Sequence, residues 1–403
     1  MADGAVEILD FPIRRGCPFK PPAEYDAFRA TGAPVQVRLY NGTPAWVVTG
    51  FEEARAILSD ERFSSDITNP GYPIFAQALE PMRHTPTLVT MDGPEHSRLR
   101  RLVISEFTMR RMNGLRPQIQ QVANGLIDRM LEQEHEQPVN LAEAYSFPLA
   151  GCVIGSLLGL DLDTIEGFMS DARKATVVQD FAEFIRIQIA FREYLLGGIE
   201  QKHHDPVNDV LSTIVAKYKE AGGAETFDEL VSLIMVIVGA GYGPTASMLS
   251  NGITALLAHP DQLAVLRQEP ALWPEAVDEV LRFVSVSDLS ALRVAVEDVE
   301  IGGQLIRAGE GVVVPNGGAN HDPAAFKDPG VLDVRRTEAR QHLAFGHGIH
   351  QCLGGNLTRV ELEIGYRTLF ERVPTLRLAV PVEEVRSPEN AQLPEIHNLP
   401  VVW

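Results

Sequence analysis

The sequence predicts a mainly α-helical protein with small β-sheets, folded as one domain over residues 1–403. Three observations predict it. After MDGPEHSRLRRLV (91–103) the apolar residues keep helical spacing to about residue 260, interrupted only near 135–140, 160–163, 203–209 and 221–226. Strand signals are short and lie outside that helical stretch. No internal repeat or low-complexity linker divides the chain.

Taken in order, PVQVRLYNGTPAWVV (35–49) alternates around an Asn-Gly pair, the signature of a hairpin. FEEARAILSD (51–60) starts a helix, and the turn-rich, aperiodic stretch from about 60 to 90 reads as a functional loop. The run LVSLIMVIVGAG (230–241) is too short for a bilayer span and predicts a buried helix. It leads into GAGYGPTASML (239–249), where three glycines and Pro244 interrupt the pattern. A proline inside a helix deletes a backbone hydrogen bond at roughly 3 kcal/mol, and each glycine adds about 1 kcal/mol relative to alanine, so this deformation needs a reason. A proline-led turn at 270–274 precedes the helix WPEAVDEVLRFV (273–284). Strand-like LRVAV, VEIGG and GVVVP follow, then the irregular NHDPAAFKDPGVLDVRR (320–336). The last helix, LTRVELEIGYRTLFERV, carries apolar residues at 357, 360 and 364, and strands close the chain.

Composition narrows the function. Hydrophobic content of 45% and charged content of 22% are ordinary for a globular protein, and a formal charge of −19 argues against a general nucleic-acid binder. Cys17, Cys152 and Cys352 are odd in number and widely spaced, which makes no disulfide framework and fits a reducing cytoplasm. MADGAVEILDFPIRRGCPFKPP has no basic segment followed by an apolar one, so neither a signal peptide nor a membrane anchor is expected.

The densest chemistry is HLAFGHGIHQCLGG (342–355), one cysteine among four glycines just before a helix. Free N–H groups and the positive helix end lower the pKa of a thiol placed there. The glycines let backbone approach something large and flat. A zinc site needs about four ligands, and His342, His347, His350 and Cys352 are the only nearby candidates, with no CxxC pair. Phe345, Gly346, Gly348, His350, Cys352 and Gly354 reproduce F-G-x-G-x-H-x-C-x-G, and here the chain resembles the cytochrome P-450 family, in its soluble bacterial form. The resemblance continues in order along most of the chain: Glu279-Val-Leu-Arg282 is similar to the family's E-x-x-R, Asp333 and Arg336 to D-x-x-R, and Ala319 to Pro323 to A-N-R-D-P with His321 replacing arginine.

The resemblance implies the P-450 fold, with haem b between a long distal helix and the Cys loop, and an enzyme that uses O2 and electrons from NAD(P)H. It implies Cys352 as axial thiolate and metal ligand, the role in which sulfur pushes electron density onto iron. The loop residues Phe345, Gly346, His350 and Gly354 would hold the cofactor, and His96, Arg100, Arg293 and His350 would meet its propionates. Glu279, Arg282 and Arg336 would form a structural cluster. Five arginines against one glutamate in RLRRLVISEFTMRR (98–111) suit an acidic redox partner, and the resemblance implies a ferredoxin and its reductase, since no flavin or nicotinamide domain fits this length.

The distal pattern A/G-G-x-D/E-T-T aligns with Ala240, Gly241, Tyr242, Gly243, Pro244 and Thr245, so the acid has become Gly243 and the alcohol Pro244. Pro244 leaves the Ala240 carbonyl without its i+4 donor, free for water or a substrate donor, and Thr245 lies about 100° further around the helix. Two outcomes fit. Protons reach the site through water or a substrate group, giving hydroxylation or epoxidation of a small specialised metabolite. Alternatively an aromatic substrate loses hydrogen or an electron and its radicals couple without oxygen insertion. A non-enzymatic haem sensor would need a transduction domain, which the sequence does not suggest. Substrate contacts are expected from the 64–90 loop, helices around 165–200, Val236, Ala240, VSVSDLSAL (284–292) with Val286, Ser287 and Leu289, and the QLPEIH turn. Ser285, Ser287 and Asp288 would make part of that wall polar, favouring a polar natural product.

Overall fold

The computed structural model describes residues 8–17, 19–132, 137–177, 180–386 and 395–403, without the side chains of Thr176, Val177 and Phe181. The chain divides into two compact units: Met1–Glu95, Thr254–Cys352 and Glu389–Pro394 form one, and His96–Ile253, Leu353–Pro388 and Glu395–Trp403 the other. Two of the boundaries fall inside helices, Gly93–Val103 and Asp228–Ala258.

In the first unit the predicted hairpin forms. Val35–Arg38 pairs antiparallel with Pro44–Val47, and Gly42 takes φ +83°, the left-handed conformation that the Asn-Gly turn needs. Pro44–Val47 then pairs parallel with Gly311–Val313, followed by Leu292–Ala295 and Phe63–Ser64, completing a five-stranded sheet. One core lies where Phe51, Ile57, Val312, Phe326 and Leu343 pack; another gathers Phe28, Val37, Val47, Ile74 and Val313.

The helix Trp273–Val284 carries the ionic centre of this unit. Glu279 and Arg282, three apart on one face, are both fully buried and paired through two hydrogen bonds of 2.7 and 2.8 Å. Arg336 reaches the same carboxylate at 3.2 Å. Two buried guanidiniums are tolerable because Glu279 and the carbonyls of Asn320, Pro329, Val331 and Lys327 share their protons. Arg15 anchors the N-terminal segment to the end of the same helix, donating to the Val284 carbonyl at 2.8 Å, to the Ser285 carbonyl and to Asp288. His321, where the family pattern has arginine, is buried, with Nδ1 at 3.0 Å from the Gly317 carbonyl. Burial, then the charge of Arg282, pulls its pKa down to about 3.

The second unit is built of helices, with the breaks expected near 135–140, 160–163, 203–209 and 221–226 and one more that the spacing did not predict, ahead of the helix that Asp180 caps. Arg116–Glu132, Phe147–Leu158, Leu162–Val177, Phe181–His204 and Val210–Glu220 precede the long helix, and Gly355–Arg372 follows it in this unit. Gly159 at φ +68° stops the second of these, while Asp180 and Asp209 cap later ones by accepting from the N–H groups of Glu183 and Ser212. Tyr145 donates to the Gly365 carbonyl at 2.8 Å and Tyr366 to the Met248 carbonyl at 2.5 Å, tying the last helix to its neighbours. Val139–Asn140, Pro400–Val402 and Arg377–Leu378 make a three-stranded antiparallel sheet.

The helix that the spacing carries to about residue 260 forms, running from Asp228 through the glycines and Pro244 to Ala258, 31 residues in all. That is long and apolar enough to cross a membrane by length and composition, and 56% of its most apolar window is buried in the protein, as in a core helix. Flanking packing outweighs the propensity penalty of glycine and proline.

Two tests follow from the buried charges. Glu279→Gln leaves the guanidiniums of Arg282 and Arg336 without their anion, and the denaturant midpoint should fall by the equivalent of about 3–5 kcal/mol. For His321, the folded pKa lies below the ordinary 6.5, so between these values the unfolded chain binds the extra proton and stability drops as pH falls. From pH 6.5 to 5 this residue alone should remove about 2 kcal/mol, and His321→Gln should abolish that part of the slope in unfolding curves.

Candidate active site

The Cys loop is fixed from its own unit. Leu343 N–H donates to Asn320 Oδ1 at 2.6 Å, Gly346 N–H to the Leu343 carbonyl at 2.8 Å, and Cys352 N–H to the Phe345 carbonyl at 2.9 Å. Gly346 and Gly348 take φ +66° and +72°. At Gly348 the need is double, because a Cβ there would lie 2.2 Å from the Leu58 carbonyl oxygen. At Gly346 a Cβ would meet open space. The loop thus delivers Cys352 to an exposed position, three residues before the helix Gly355–Arg372.

Around the loop, the same unit places two of the expected cations. Arg293, on the strand Leu292–Ala295, is 5% exposed, and its side chain donates to the Leu292 carbonyl at 2.8 Å. No carboxylate forms an ion pair with it among the described residues, and burial lowers its pKa. A buried guanidinium in that state calls for an anion. His350 Nε2 lies 2.8 Å from Asp92 Oδ1, and Asp92 also accepts from Ser64 Oγ at 2.5 Å and from the Ser65 N–H at 2.7 Å. Burial opposes the ionised form of Asp92, yet these hydrogen bonds bring its pKa down to about 2. Asp92 escaped the sequence reading. The only signal was its place in MDGPEH, where an acid before a helix reads as an ordinary cap.

The second unit supplies the other residues. His96 is buried and Arg100 half-buried, four apart on the helix Gly93–Val103. Along the long helix, Gly239 and Ala240 are exposed, Val236, Gly241, Gly243 and Pro244 half-buried, and Tyr242 and Thr245 buried. Gly241 faces Ile154, whose side chain a Cβ would meet at 2.8 Å, and Tyr242 packs on Phe147 with ring centroids 5.6 Å apart. Ser247 Oγ donates to the Gly243 carbonyl at 2.9 Å, and Pro244 offers the Ala240 carbonyl no i+4 N–H. The open stripe of this helix is therefore Val236, Gly239, Ala240, Gly243 and Pro244.

The polar wall expected at 284–292 is differently used. Ser285 is fully buried and bonds the Arg282 carbonyl at 2.8 Å. Ser287 donates to the Ala344 carbonyl at 2.9 Å and accepts from Asn316 at 3.0 Å. Asp288 holds Arg15 and the Gly317 N–H. Their polarity is directed into the protein, so it carries no statement about substrate. Val286 is buried, and Leu289 packs half-buried against the hairpin core. The arginine run is also less basic than its composition: Arg98 pairs with Glu229 and Arg111 with the buried Glu106, leaving Arg101 and Arg110 exposed beside Ile104 and Met109. The helices expected around 165–200 are Leu162–Val177 and Phe181–His204, and Gln392–Pro394 of the C-terminal turn lie outside the described residues. No three His, Cys, Asp or Glu side chains gather to hold a metal among the described residues, so the zinc alternative has no ligand set there.

Comparison with known proteins decides the family. The description Cytochrome P450 matches residues 162–376. Pentalenic acid synthase of Streptomyces avermitilis is 42% identical over 98% of this chain and 97% of its own. The chain belongs to the cytochrome P450 family. Vitamin D3 dihydroxylase of Streptomyces griseolus is 40% identical over 98% of this chain and 96% of its own. The crystal structure of cytochrome P450 MoxA from Nonomuraea recticatena superposes with a TM-score of 0.92 at 44% identity, covering 98% of each chain. The P450 is thus an oxidoreductase of the monooxygenase class, with the mainly helical P450 fold.

The residues present fit the family's haem. An exposed cysteine thiol in a glycine-shaped loop offers the iron a ligand, and the buried Arg293, which forms no ion pair with a carboxylate among the described residues, suits a haem propionate. Bound there, haem supplies dioxygen activation at a thiolate-ligated iron. The two glycines separate loop shape from side-chain chemistry. Gly346→Ala should lose only the left-handed strain of about 1–2 kcal/mol. Gly348→Ala adds the clash with Leu58, and its thermal midpoint and the haem content of the purified protein should fall much further.

Proposed function

We propose that this P450, as one functional domain over residues 1–403, inserts oxygen from O2 into a small specialised metabolite by hydroxylation or epoxidation. The observation that carries the reading is the exposed Cys352 at the end of its signature loop, the position for the axial thiolate of haem b. Arg293, His350, His96 and Arg100 hold the propionates, the buried charge of Arg293 being the strongest support. Phe345, Gly346 and Gly354 shape the cofactor's seat. Electrons pass from NAD(P)H through a reductase and a ferredoxin in the cytoplasm. Arg101 and Arg110, exposed beside Ile104 and Met109, give that acidic partner a basic and apolar patch.

The relatives' names support the chemistry: one is a synthase of pentalenic acid, another a dihydroxylase of vitamin D3. Substrate lies along the stripe of Val236, Ala240, Gly243 and Pro244, and Val286, Ser287 and Leu289 are the other contacts of this reading. Pro244 provides no N–H, so the Ala240 carbonyl faces the substrate as an acceptor. Gly243 and Pro244 hold no acid or alcohol, so the proton that completes oxygen insertion comes through water or from a substrate O–H or N–H in contact with that stripe. Thr245, buried, stays off this face.

The same two residues support a second reading, oxidative C–C or C–O coupling of an aromatic substrate without oxygen insertion. Turnover under labelled dioxygen separates them by mass spectrometry: insertion carries the label into the product, and coupling leaves it unlabelled. The haem-thiolate assignment is checked first by the carbon-monoxide difference spectrum of the reduced protein. A long-wavelength Soret band is expected, and an imidazole-type spectrum would reject Cys352 as ligand.

A further inference from the structure

Asp92 has no role in the chemistry above, yet it is among the most heavily bonded carboxylates beside the Cys loop. Oδ1 meets His350 Nε2 at 2.8 Å, and Oδ2 accepts from Ser64 Oγ at 2.5 Å and Ser65 N–H at 2.7 Å. All these donors lie outside its own helix, and His350 is 258 positions away in sequence. Three donors from two segments fix the carboxylate, and its side chain is 28% exposed. The loop is held a second time two residues earlier, where Gly348 lies against the Leu58 carbonyl with no room for a Cβ. The two contacts together pin the stretch immediately before Cys352. The charge of Asp92 also reaches the buried Arg293, whose cationic form it favours.

We propose that Asp92 is a positioning residue for the cofactor edge: by binding His350 it fixes that imidazole before a haem carboxylate engages it. The proposal rests on the reading of His350 as a propionate contact. Its logic is that of a carboxylate behind a ligating histidine, where the carboxylate sets ring orientation and basicity while touching no reacting atom. A simple cap of the helix Gly93–Val103 would not require His350 at all.

The test uses the haem-loaded ferric protein and the variants Asp92→Asn, His350→Gln and the double variant. The first readout is the propionate bending band in the resonance Raman spectrum. The second is the rate of haem transfer to excess apomyoglobin. Asp92→Asn and His350→Gln should each shift the band and speed haem loss by about tenfold, the lower range for removal of such a supporting partner. The double variant should lose haem no faster than His350→Gln alone, because Asp92 acts through His350. A band moved by His350→Gln but untouched by Asp92→Asn overturns the proposal and leaves the propionate reading standing. Multiplied losses in the double variant also overturn it. A band unmoved by His350→Gln overturns the reading beneath it as well. Asp92→Glu, which keeps the charge but shifts the carboxylate by one methylene, is read in the same way if the Asn variant does not fold.

Discussion

One buried carboxylate organises the unit that carries Cys352. Glu279 is shared by Arg282 and Arg336, all three closed off from water, and the arginines in turn draw in the carbonyls of residues 320 to 331. A charge pair of this kind adds little net stability against an apolar alternative, but its geometry is demanding. Here the demand has a use. Asn320, whose carbonyl Arg282 holds, passes its side-chain amide to Ser285 and its oxygen to the Leu343 N–H at the base of the Cys loop. The ion cluster therefore sets where the loop begins, and the loop sets where sulfur emerges.

The cofactor edge repeats the theme with opposite sign. Arg293 is a buried cation and His350 a half-buried imidazole, and among the described residues Asp92 is an anion whose charge reaches both. An under-compensated buried cation is unfavourable in the protein alone and becomes favourable when a carboxylate-bearing ligand arrives. Such a site binds by relieving a penalty that folding has already incurred. The two left-handed glycines act differently, since they remove obstruction without adding attraction.

On the long helix the departures from the family pattern are Gly243 and Pro244, at positions where an acid and an alcohol are usual. In the proposed reading, Gly243 and Pro244 bring no side-chain proton donor and leave volume and a backbone acceptor there. Ser247 and Asn251 satisfy carbonyls further along the helix, at Gly243 and Ser247 respectively, so the Ala240 carbonyl is left as the distinctive acceptor of that stripe. The helix persists because its buried face, including Tyr242, Thr245 and Ala246, remains packed.

The sequence by itself determined the family, the signature loop around Cys352, the hairpin, most of the helix boundaries and the Glu279–Arg282 pair. Each rests on residues close together in the chain, where spacing fixes geometry: six motif positions within ten residues, an Asn-Gly turn, two charges three apart on a helix. The tertiary structure alone decided that Asp92 serves His350, that Arg15 and Gly317 take the polarity of Asp288, and that Glu229 and Glu106 neutralise Arg98 and Arg111. These pairings join residues up to 273 positions apart. Periodicity and propensity describe a residue's own neighbourhood, whereas the partner of a buried charge is chosen by how the distant chain folds back to exclude water from it.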